Sequence, residues 1–204
     1  MPRPNVEAER REQILRAACD ELSEVGMQDL RLSDLARRAG VSSGTIHYYF
    51  EGKHAVLVAA FEFNYRRSLE RRRRLLDAGD EPLPTLRELV DSYLPRRPEA
   101  LTAWRVWAQL WAEATRNDEY RAINESLYAE WRGLVTELIA RGQDRGSIRD
   151  GDPGVLADML IGMIDGLATQ VLAGSKDMPV ERMSSTLQQF IDDFLALAPA
   201  RARH

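Results

Sequence analysis

The run SGTIHY at residues 43–48 carries the side chains best suited to contact another molecule. Ile46 and Phe50 stand four residues apart, so in a helix they share one face and pack inward. The opposite face then presents a glycine and several hydrogen-bonding groups to the outside. Because such groups can reach base edges and phosphate oxygens, contact with nucleic acid is the first chemistry to consider.

Two short helices joined by a tight turn must position this run. Ser33 is a suitable N-cap for the first helix, and Gly40 supplies the left-handed residue that ends it. Ser42 is then placed to cap the second helix. A helix this short is stable only when it packs on a neighbour. The pattern therefore predicts a helix-turn-helix, whose second helix enters the major groove of DNA.

The residues of this motif resemble the DNA-binding signature of the TetR family of transcription regulators. The matching residues are AGVS at 39–42, GTI at 44–46, YF at 49–50 and Lys53. The resemblance covers roughly residues 8–60, and one departure is His47, where the family very often has tyrosine. It implies an all-α protein with a three-helix DNA-binding domain, followed by a helical ligand-binding and dimerisation domain.

The same resemblance implies which residues contact DNA. We expect the second helix to approach the duplex through Ser43, Gly44, Thr45, His47 and Tyr48. Among these, Thr45 and Tyr48 suit phosphates or a thymine methyl, and His47 suits a base edge. We expect the DNA backbone to be held by Arg31, Ser33 and Lys53.

The charge of the chain is unevenly distributed. The net charge is −4, but residues 1–75 carry +3 and residues 76–204 carry −7. The N-terminal part is therefore the basic part, although only mildly so. A run of four arginines, Arg71–Arg74, lies at the far end of the fourth predicted helix. We interpret this run as a solvated helix face rather than as a nucleic-acid contact.

The rest of the chain is predicted to be helical. The first helix spans residues 5–25, the fourth continues to about residue 76, and the segment DAGDEPLP at 77–84 is the clearest break. Five helices follow, at Thr85–Leu94, Glu99–Arg116, Asp118–Arg141, 153–173 and Val180–Leu197. No segment shows the alternation of a strand. We predict nine helices that form a DNA-binding domain at 1–53, a linking helix at 54–76 and a ligand-binding and dimerisation domain at 77–204.

The last two helices carry apolar residues on more than one face, so each needs more than one partner. In the TetR family the equivalent helices pair with their copies in a four-helix bundle, and the resemblance therefore implies a homodimer. We expect dimer contacts from Leu160, Ile164, Leu167, Leu187, Phe190 and Phe194. The alternative is a thick core within one protomer.

A second candidate site lies in the middle of the chain. Trp104, Trp107 and Trp111 are spaced i, i+3 and i+7, so they share a helix face. Further lining is expected from Tyr93, Tyr128, Trp131 and Met163, with charge from Glu113 and Asp165. Aromatic rings around an acidic group can hold a cation, at roughly 0.5–2 kcal/mol per cation–π contact. The alternative is that the tryptophan stripe is part of the core.

Two segments of this region are similar to the C-terminal domain of the choline-responsive branch of the TetR family. They are the residues around Trp104–Ala114 and the segment IDGL at 164–167. This similarity is looser than the first and does not carry the ligand with it. A quaternary ammonium ion and a polyamine are both candidates for the small-molecule effector.

Catalysis is not predicted. The three histidines, His47, His54 and His204, form no spacing typical of a metal site, and no cofactor is predicted. The single cysteine, Cys19, is expected to pack as a small apolar residue. We expect a cytoplasmic protein, because no apolar run approaches the roughly 20 residues of a membrane span and the N-terminus lacks the apolar centre of a signal peptide.

These patterns together predict a ligand-responsive transcription regulator. The resemblance implies a homodimer that binds a pseudo-palindromic operator, acts as a repressor and is released by a small-molecule effector. Release would follow if the effector changed the tilt of the linking helix and so the separation of the two recognition helices. The alternative is a helical protein-interaction module without specific DNA binding.

Overall fold

The computed structural model describes residues 4–197, and these residues form nine α-helices and one π-helical turn. The α-helices are α1 Pro4–Asp29, α2 Leu32–Arg38, α3 Ser43–Tyr49, α4 Lys53–Ala78, α5 Pro82–Tyr93, α6 Pro98–Ala114, α7 Asp118–Asp144, α8 Pro153–Leu172 and α9 Val180–Phe190. Within the described residues there is no strand, only an isolated bridge between Ile148 and Ala196. The predicted all-α fold of nine helices is confirmed.

Several helix ends differ from the predicted ones, among them the end of α7, which lies at Asp144 rather than at Arg141. Arg31 is the N-cap of α2, in an extended conformation without a side-chain hydrogen bond, so the predicted cap by Ser33 is wrong. The start of α5 is Pro82 rather than Thr85, because proline fits the first helical position. After α9 the chain makes the π-helical turn Ile191–Leu195 instead of continuing as an α-helix.

The turn of the helix-turn-helix forms as predicted. Gly40 has a φ of 63°, the left-handed conformation that glycine adopts without strain. The Oγ of Ser42 accepts a hydrogen bond from the backbone N–H of Thr45 at 3.1 Å and so caps α3. Gly26, with a φ of 79°, interrupts α1 where the first helix was predicted to end.

The chain divides into two compact units. The first comprises the residues up to Ser68 together with Leu101–Glu125, and the second comprises Leu69–Ala100 together with the residues from Ser126 onward. Both α4 and α7 therefore contribute residues to each unit. The functional division at residues 53 and 76 stays a prediction.

The first unit is built on the packing of α1 against α2 and of α2 against α3. Ile14 and Leu22 of α1, Leu35 of α2 and Ile46 of α3 are fully buried in its core. This burial gives α3 the stability that a helix of seven residues does not have by itself.

Cys19 belongs to the same core. Its side chain is buried, and its Sγ lies 3.6 Å from the carbonyl oxygen of Ala60. Burial raises the pKa of the Cys19 thiol to about 12, so the reactive thiolate does not form at neutral pH. Cys19 is thus a packing residue, as expected.

The second unit is built on α8, which packs on α9, while α9 also contacts α5. The helix α8 is long and apolar enough to cross a membrane by length and composition, with a mean hydropathy of 1.6. Only 28% of this stretch is buried within the protein. An apolar helix with this much uncovered surface needs a further partner.

Candidate DNA-binding and ligand-binding sites

The predicted DNA-binding face of α3 is open to solvent. Ser43, Gly44 and His47 are exposed, and the side chain of Tyr48 is 73% exposed. The ring of Tyr48 packs edge-on against that of Tyr49, with the centroids 5.0 Å apart. The structure therefore brings these four predicted residues onto one side of the helix, opposite its buried face.

Thr45 is partly engaged by the cap of its own helix. Its Oγ1 lies 2.9 Å from the Oγ of Ser42, and its backbone N–H donates to the same oxygen. The side chain is half-buried. A hydroxyl group has one donor and two acceptor sites, so this arrangement orients Thr45 and leaves its Oγ1 able to form a further hydrogen bond.

The residues that flank α3 are also at the surface. Arg31 and Ser33 are exposed at the start of α2. The Nζ of Lys53 donates to the carbonyl oxygen of Gln28 at 2.8 Å. An ammonium group has three donors, so this bond fixes the Lys53 side chain and leaves two N–H groups for a phosphate.

An ion-pair network ties α2 to α1 and so supports the motif from behind. The Nε of Arg38 donates to Glu21 at 2.7 Å, and another guanidinium nitrogen donates to Glu24 at 2.9 Å. The hydrogen bonds and charges of Glu24 and Glu21 raise the pKa of Arg38. Such bidentate contacts fix the orientation of α2, on which α3 packs.

The three tryptophans of the predicted stripe lie together on α6, in the first unit. The ring centroids of Trp104 and Trp111, and those of Trp107 and Trp111, are each 6.1 Å apart. Trp107 also packs edge-on against Tyr65 of α4 at 6.1 Å. Within this unit the stripe helps to pack α6 on α4, and its role as ligand lining stays a prediction.

The other predicted aromatic residues lie in the second unit. The ring centroids of Tyr93 on α5 and Trp131 on α7 are 4.7 Å apart, and both side chains are buried. The hydroxyl of Tyr128, one helical turn from Trp131, donates a hydrogen bond to the Oδ2 of Asp165 on α8. Three helices thus bring aromatic rings and a carboxyl group together.

The two predicted acidic groups differ. Glu113 belongs to the first unit and pairs with Arg116 at 3.3 Å. Burial raises the pKa of Asp165 to about 6, although the hydrogen bond from Tyr128 acts in the opposite direction. The pKa of Tyr128 is itself raised, first by desolvation and then by the charge of Asp165. A half-buried carboxyl group beside aromatic rings is suited to a cation, which would favour its ionised form.

Sequence reasoning missed one member of this cluster. The guanidinium carbon of Arg72, on α4, lies 3.2 Å from the ring centroid of Tyr93 and 5.6 Å from that of Trp131. Both distances lie within the roughly 6 Å typical of cation–π contacts. The arginine run is therefore not simply a solvated face, since Arg72 contacts the rings and Arg73 pairs with Glu130 at 2.9 Å.

Three of the six residues predicted to make dimer contacts are buried within the protomer. The side chains of Leu160, Ile164 and Leu187 fill the core formed by α8 and α9. This burial favours a core role for them, and their part in dimer contacts stays a prediction. These helices do have two apolar faces, but the sequence did not reveal which of the two points inward.

The remaining predicted dimer residues lie at the surface. Leu167 and Phe190 are half-buried, and Phe194 is 56% exposed, with its ring stacked on Phe190 at 5.5 Å. Val155 and Met159 of α8 are also large, apolar and exposed. Met163, which was predicted to line the ligand site, is half-buried on the same helix, and its role stays a prediction.

Comparison with known proteins gives two matching family models. Residues 14–60 match the model described as bacterial regulatory proteins, tetR family. Residues 82–196, more than half of the chain, match the model described as BetI-type transcriptional repressor, C-terminal.

Several individual proteins are similar over most of their length. The HTH-type transcriptional regulator BetI of Stenotrophomonas maltophilia is 34% identical over 172 residues, which cover 82% of this chain and 83% of that protein. BetI of Escherichia coli K12 is 28% identical over 199 residues, which cover 96% of this chain and 98% of that protein.

Two solved structures have a closely similar fold. A transcriptional regulator from Saccharomonospora viridis, in complex with choline, superposes with a TM-score of 0.88 at 32% identity, over 94% of this chain and 100% of that one. A TetR-family transcriptional regulator from Rhodococcus sp. superposes with a TM-score of 0.81 at 28% identity, over 93% of this chain and 100% of that one.

Proposed function

Since this chain belongs to the BetI-type branch of the TetR family of transcription regulators, we propose that its effector is a small quaternary ammonium cation such as choline. The observation that carries the proposal is the cluster of Tyr93, Tyr128, Trp131 and Asp165 in the second unit. We refer to these four residues as the aromatic site.

The general function follows from the family. The chain is a transcriptional repressor that binds operator DNA as a homodimer and is released by a small-molecule effector. It is not an enzyme, because the family consists of regulators. The alternative of a helical interaction module is not favoured, since residues 14–60 match the DNA-binding part of the family.

The chemistry of the aromatic site suits a permanent cation. The faces of tyrosine and tryptophan rings carry negative electrostatic potential and attract ammonium groups, most strongly where water is excluded. Asp165 adds a full negative charge at pH values above its raised pKa. The choline complex of the Saccharomonospora relative supports a ligand of this class. Lining by Met163, in the same unit, is part of this proposal, whereas lining by Trp104, Trp107 and Trp111 of the first unit stays a prediction.

We assign the DNA contacts to the open face of α3 and its flanks. Base edges and phosphates would be contacted by Ser43, Gly44, Thr45, His47, Tyr48, Arg31, Ser33 and Lys53. The exposure of most of these side chains, and the burial of Ile46 behind them, support the assignment. A repressor of this kind would act in the cytoplasm, where the chromosome lies.

We assign the contacts between the two protomers to the exposed apolar surface of α8 and the π-helical turn. This surface includes the exposed Val155, Met159 and Phe194 and the half-buried Leu167. Several large apolar side chains exposed at one end of a domain are typical of a protein interface, and the second copy of the chain would cover them. Gly162 and Gly166 on the same helix would allow close approach of the partner, because a Cβ at either position would point into open space.

The effector proposal is tested with choline and its neutral carbon isostere, in which a carbon atom replaces the charged nitrogen. An operator duplex is first selected from a random pool, and its release from the protein is followed by fluorescence anisotropy. We expect choline to release the duplex and the isostere to have no effect, because only the charge differs between them.

A variant locates the binding site. Trp131→Ala should abolish choline binding in calorimetry while leaving the affinity for the operator duplex in the absence of choline unchanged. Equal binding of choline and its isostere would contradict the proposed ligand class. Full binding of choline by Trp131→Ala would contradict the proposed site.

A further inference from the structure

We propose that Arg72 is a built-in competitor of the effector: its guanidinium group occupies the aromatic site, and a cationic ligand must move it away in order to bind. The inference rests on the proposed function of these rings as a cation site. Binding of the effector would then include the displacement of Arg72 from the rings.

The geometry leaves little room for two cations. The ring centroid of Tyr93 has the guanidinium carbon of Arg72 at 3.2 Å and the ring centroid of Trp131 at 4.7 Å. A quaternary ammonium ion has to approach the same rings within about 6 Å to gain cation–π attraction. Two positive charges this close in a partly buried site repel each other strongly. Arg72 and the effector therefore exclude one another.

The chemistry of arginine suits this role. Its guanidinium group is planar, always charged and weakly hydrated, so it stacks on aromatic faces more readily than a lysine ammonium does. The adjacent Arg73 pairs with Glu130 at 2.9 Å and provides a comparison for Arg72.

The position of Arg72 in the chain gives its displacement a consequence. It lies on α4, a continuous helix that begins at Lys53, directly after the helix-turn-helix. A ligand shifts a conformational equilibrium only as far as it binds one state better than the other. Competition with Arg72 provides that difference, because the effector binds only the state in which this part of α4 has released the rings.

The test compares substitutions at two adjacent arginines. Arg72→Met removes the charge and keeps a long side chain, Arg72→Lys keeps a charge with a weaker preference for aromatic faces, and Arg73→Met is the matched control. The dissociation constant of choline is measured by calorimetry on the full-length protein. We expect Arg72→Met to bind choline about tenfold more tightly than the unmodified protein, Arg72→Lys to lie between the two, and Arg73→Met to change it less than about twofold.

A second readout separates competition from a simple change in affinity. The dissociation constant of the selected operator duplex is measured with and without saturating choline, and the ratio of the two values is the coupling factor. In Arg72→Met this factor should fall by about tenfold even though choline binds more tightly. The reason is that the two conformational states no longer differ in their affinity for choline. A merely structural role of Arg72 would not move the two quantities in opposite directions.

The outcomes that overturn the inference are distinct from those that overturn the proposed function. If Arg72→Met and Arg72→Lys bind choline no more tightly than the unmodified protein, Arg72 is no competitor, while the effector assignment stands. If neither variant nor the unmodified protein binds choline, both ideas fail together. Thermal unfolding of each variant identifies loss of fold, and Arg72→Lys then decides the outcome if Arg72→Met is unstable.

Discussion

The recognition helix and the aromatic site differ in where their binding partners come from. On α3, His47 and Tyr48 extend into solvent, and the helix is held by Ile46 on its other side. In the aromatic site, Tyr128 already donates to Asp165, and Arg72 already lies over Tyr93. One surface is open to a molecule from outside, whereas the other is satisfied by the chain itself.

This difference follows from burial. Exposed polar side chains hydrogen-bond to water at little cost, so they can stay unoccupied until DNA arrives. Buried polar and charged groups need partners within the protein, because leaving them unsatisfied is costly. DNA binding at the exposed face of α3 therefore adds new contacts, whereas effector binding at the aromatic site replaces contacts that the chain already makes with itself. We expect the first to respond mainly to salt and the second mainly to pH and to internal substitutions.

The largest effect on the free energy of unfolding is expected for the buried residue that holds α3 in place, rather than for an exposed residue that contacts DNA. Ile46→Ala should lower the free energy of unfolding by about 2–4 kcal/mol, because it leaves a cavity in the core of the first unit. Tyr48→Ala, on the exposed side of the same helix, should change it by less than about 0.5 kcal/mol while weakening operator binding. Chemical denaturation measures both. An equal loss of unfolding free energy in the two variants would show that α3 has no distinct buried and exposed faces.

The aromatic site should show a conflict between stability and binding. Asp165 has a raised pKa of about 6, against an ordinary value of 3.8, so the folded state holds its proton more tightly than the unfolded state. Stability is therefore lost as the pH rises between these values, and the cost, about 1–3 kcal/mol, remains at higher pH. Asp165→Asn should recover this free energy near pH 8 and weaken choline binding.

A neighbouring acid provides the control for that prediction. Asp158 lies on the same helix, where it pairs with Arg132 at 2.6 Å and is largely exposed. Asp158→Asn should leave choline affinity unchanged and should not stabilise the fold, because no burial cost is relieved. If Asp165→Asn destabilises the protein at pH 8 in denaturation experiments, the assigned burial cost of its charge is wrong.

The pH dependence of effector binding sharpens the comparison further. As the pH falls through about 6, Asp165 gains a proton and choline affinity should decrease. The decrease should approach a limiting slope of about tenfold per pH unit. Calorimetry between about pH 5 and pH 8 measures this, and Asp165→Asn should give a flat profile over the same range. A flat profile in the unmodified protein would mean that no carboxylate takes part in the site.

The smallest effects belong to single contacts on the open surface. Lys53→Ala should weaken all duplexes about equally and reduce the salt slope of operator binding by about one phosphate contact. His47→Ala should instead change which bases are preferred, which selection from random duplexes would reveal. An unchanged salt slope for the first variant, or an unchanged preference for the second, would remove that residue from the interface.

The sequence predicted the DNA-binding motif well because its determinants are local. The turn depends on Gly40 and Ser42, and the inner face of α3 depends on Ile46, with the buried C-cap residue Phe50 directly after the helix. All of these act within about one or two helical turns, so the pattern of residue types is sufficient. The one error, the cap at Ser33, is a difference of two residues at a helix end, where boundaries are least defined.

The aromatic site was predicted only in part. The residue types of Tyr93, Tyr128, Trp131 and Asp165 indicated a cation site, but their meeting depends on how three separate helices pack. Arg72 could not be singled out, since four identical arginines stand in a row and the sequence does not say which one turns towards the rings.

The sequence by itself thus determined the helices, the motif and the family, because helical periodicity, caps and turn residues act over short stretches of chain. The tertiary structure alone decided which apolar face of α8 is core, with Leu160 and Ile164 inside and Met159 outside. It also decided that Arg72 contacts the aromatic site. Periodicity reveals that a helix has a face to bury, but only packing against particular neighbours selects the partner that covers it.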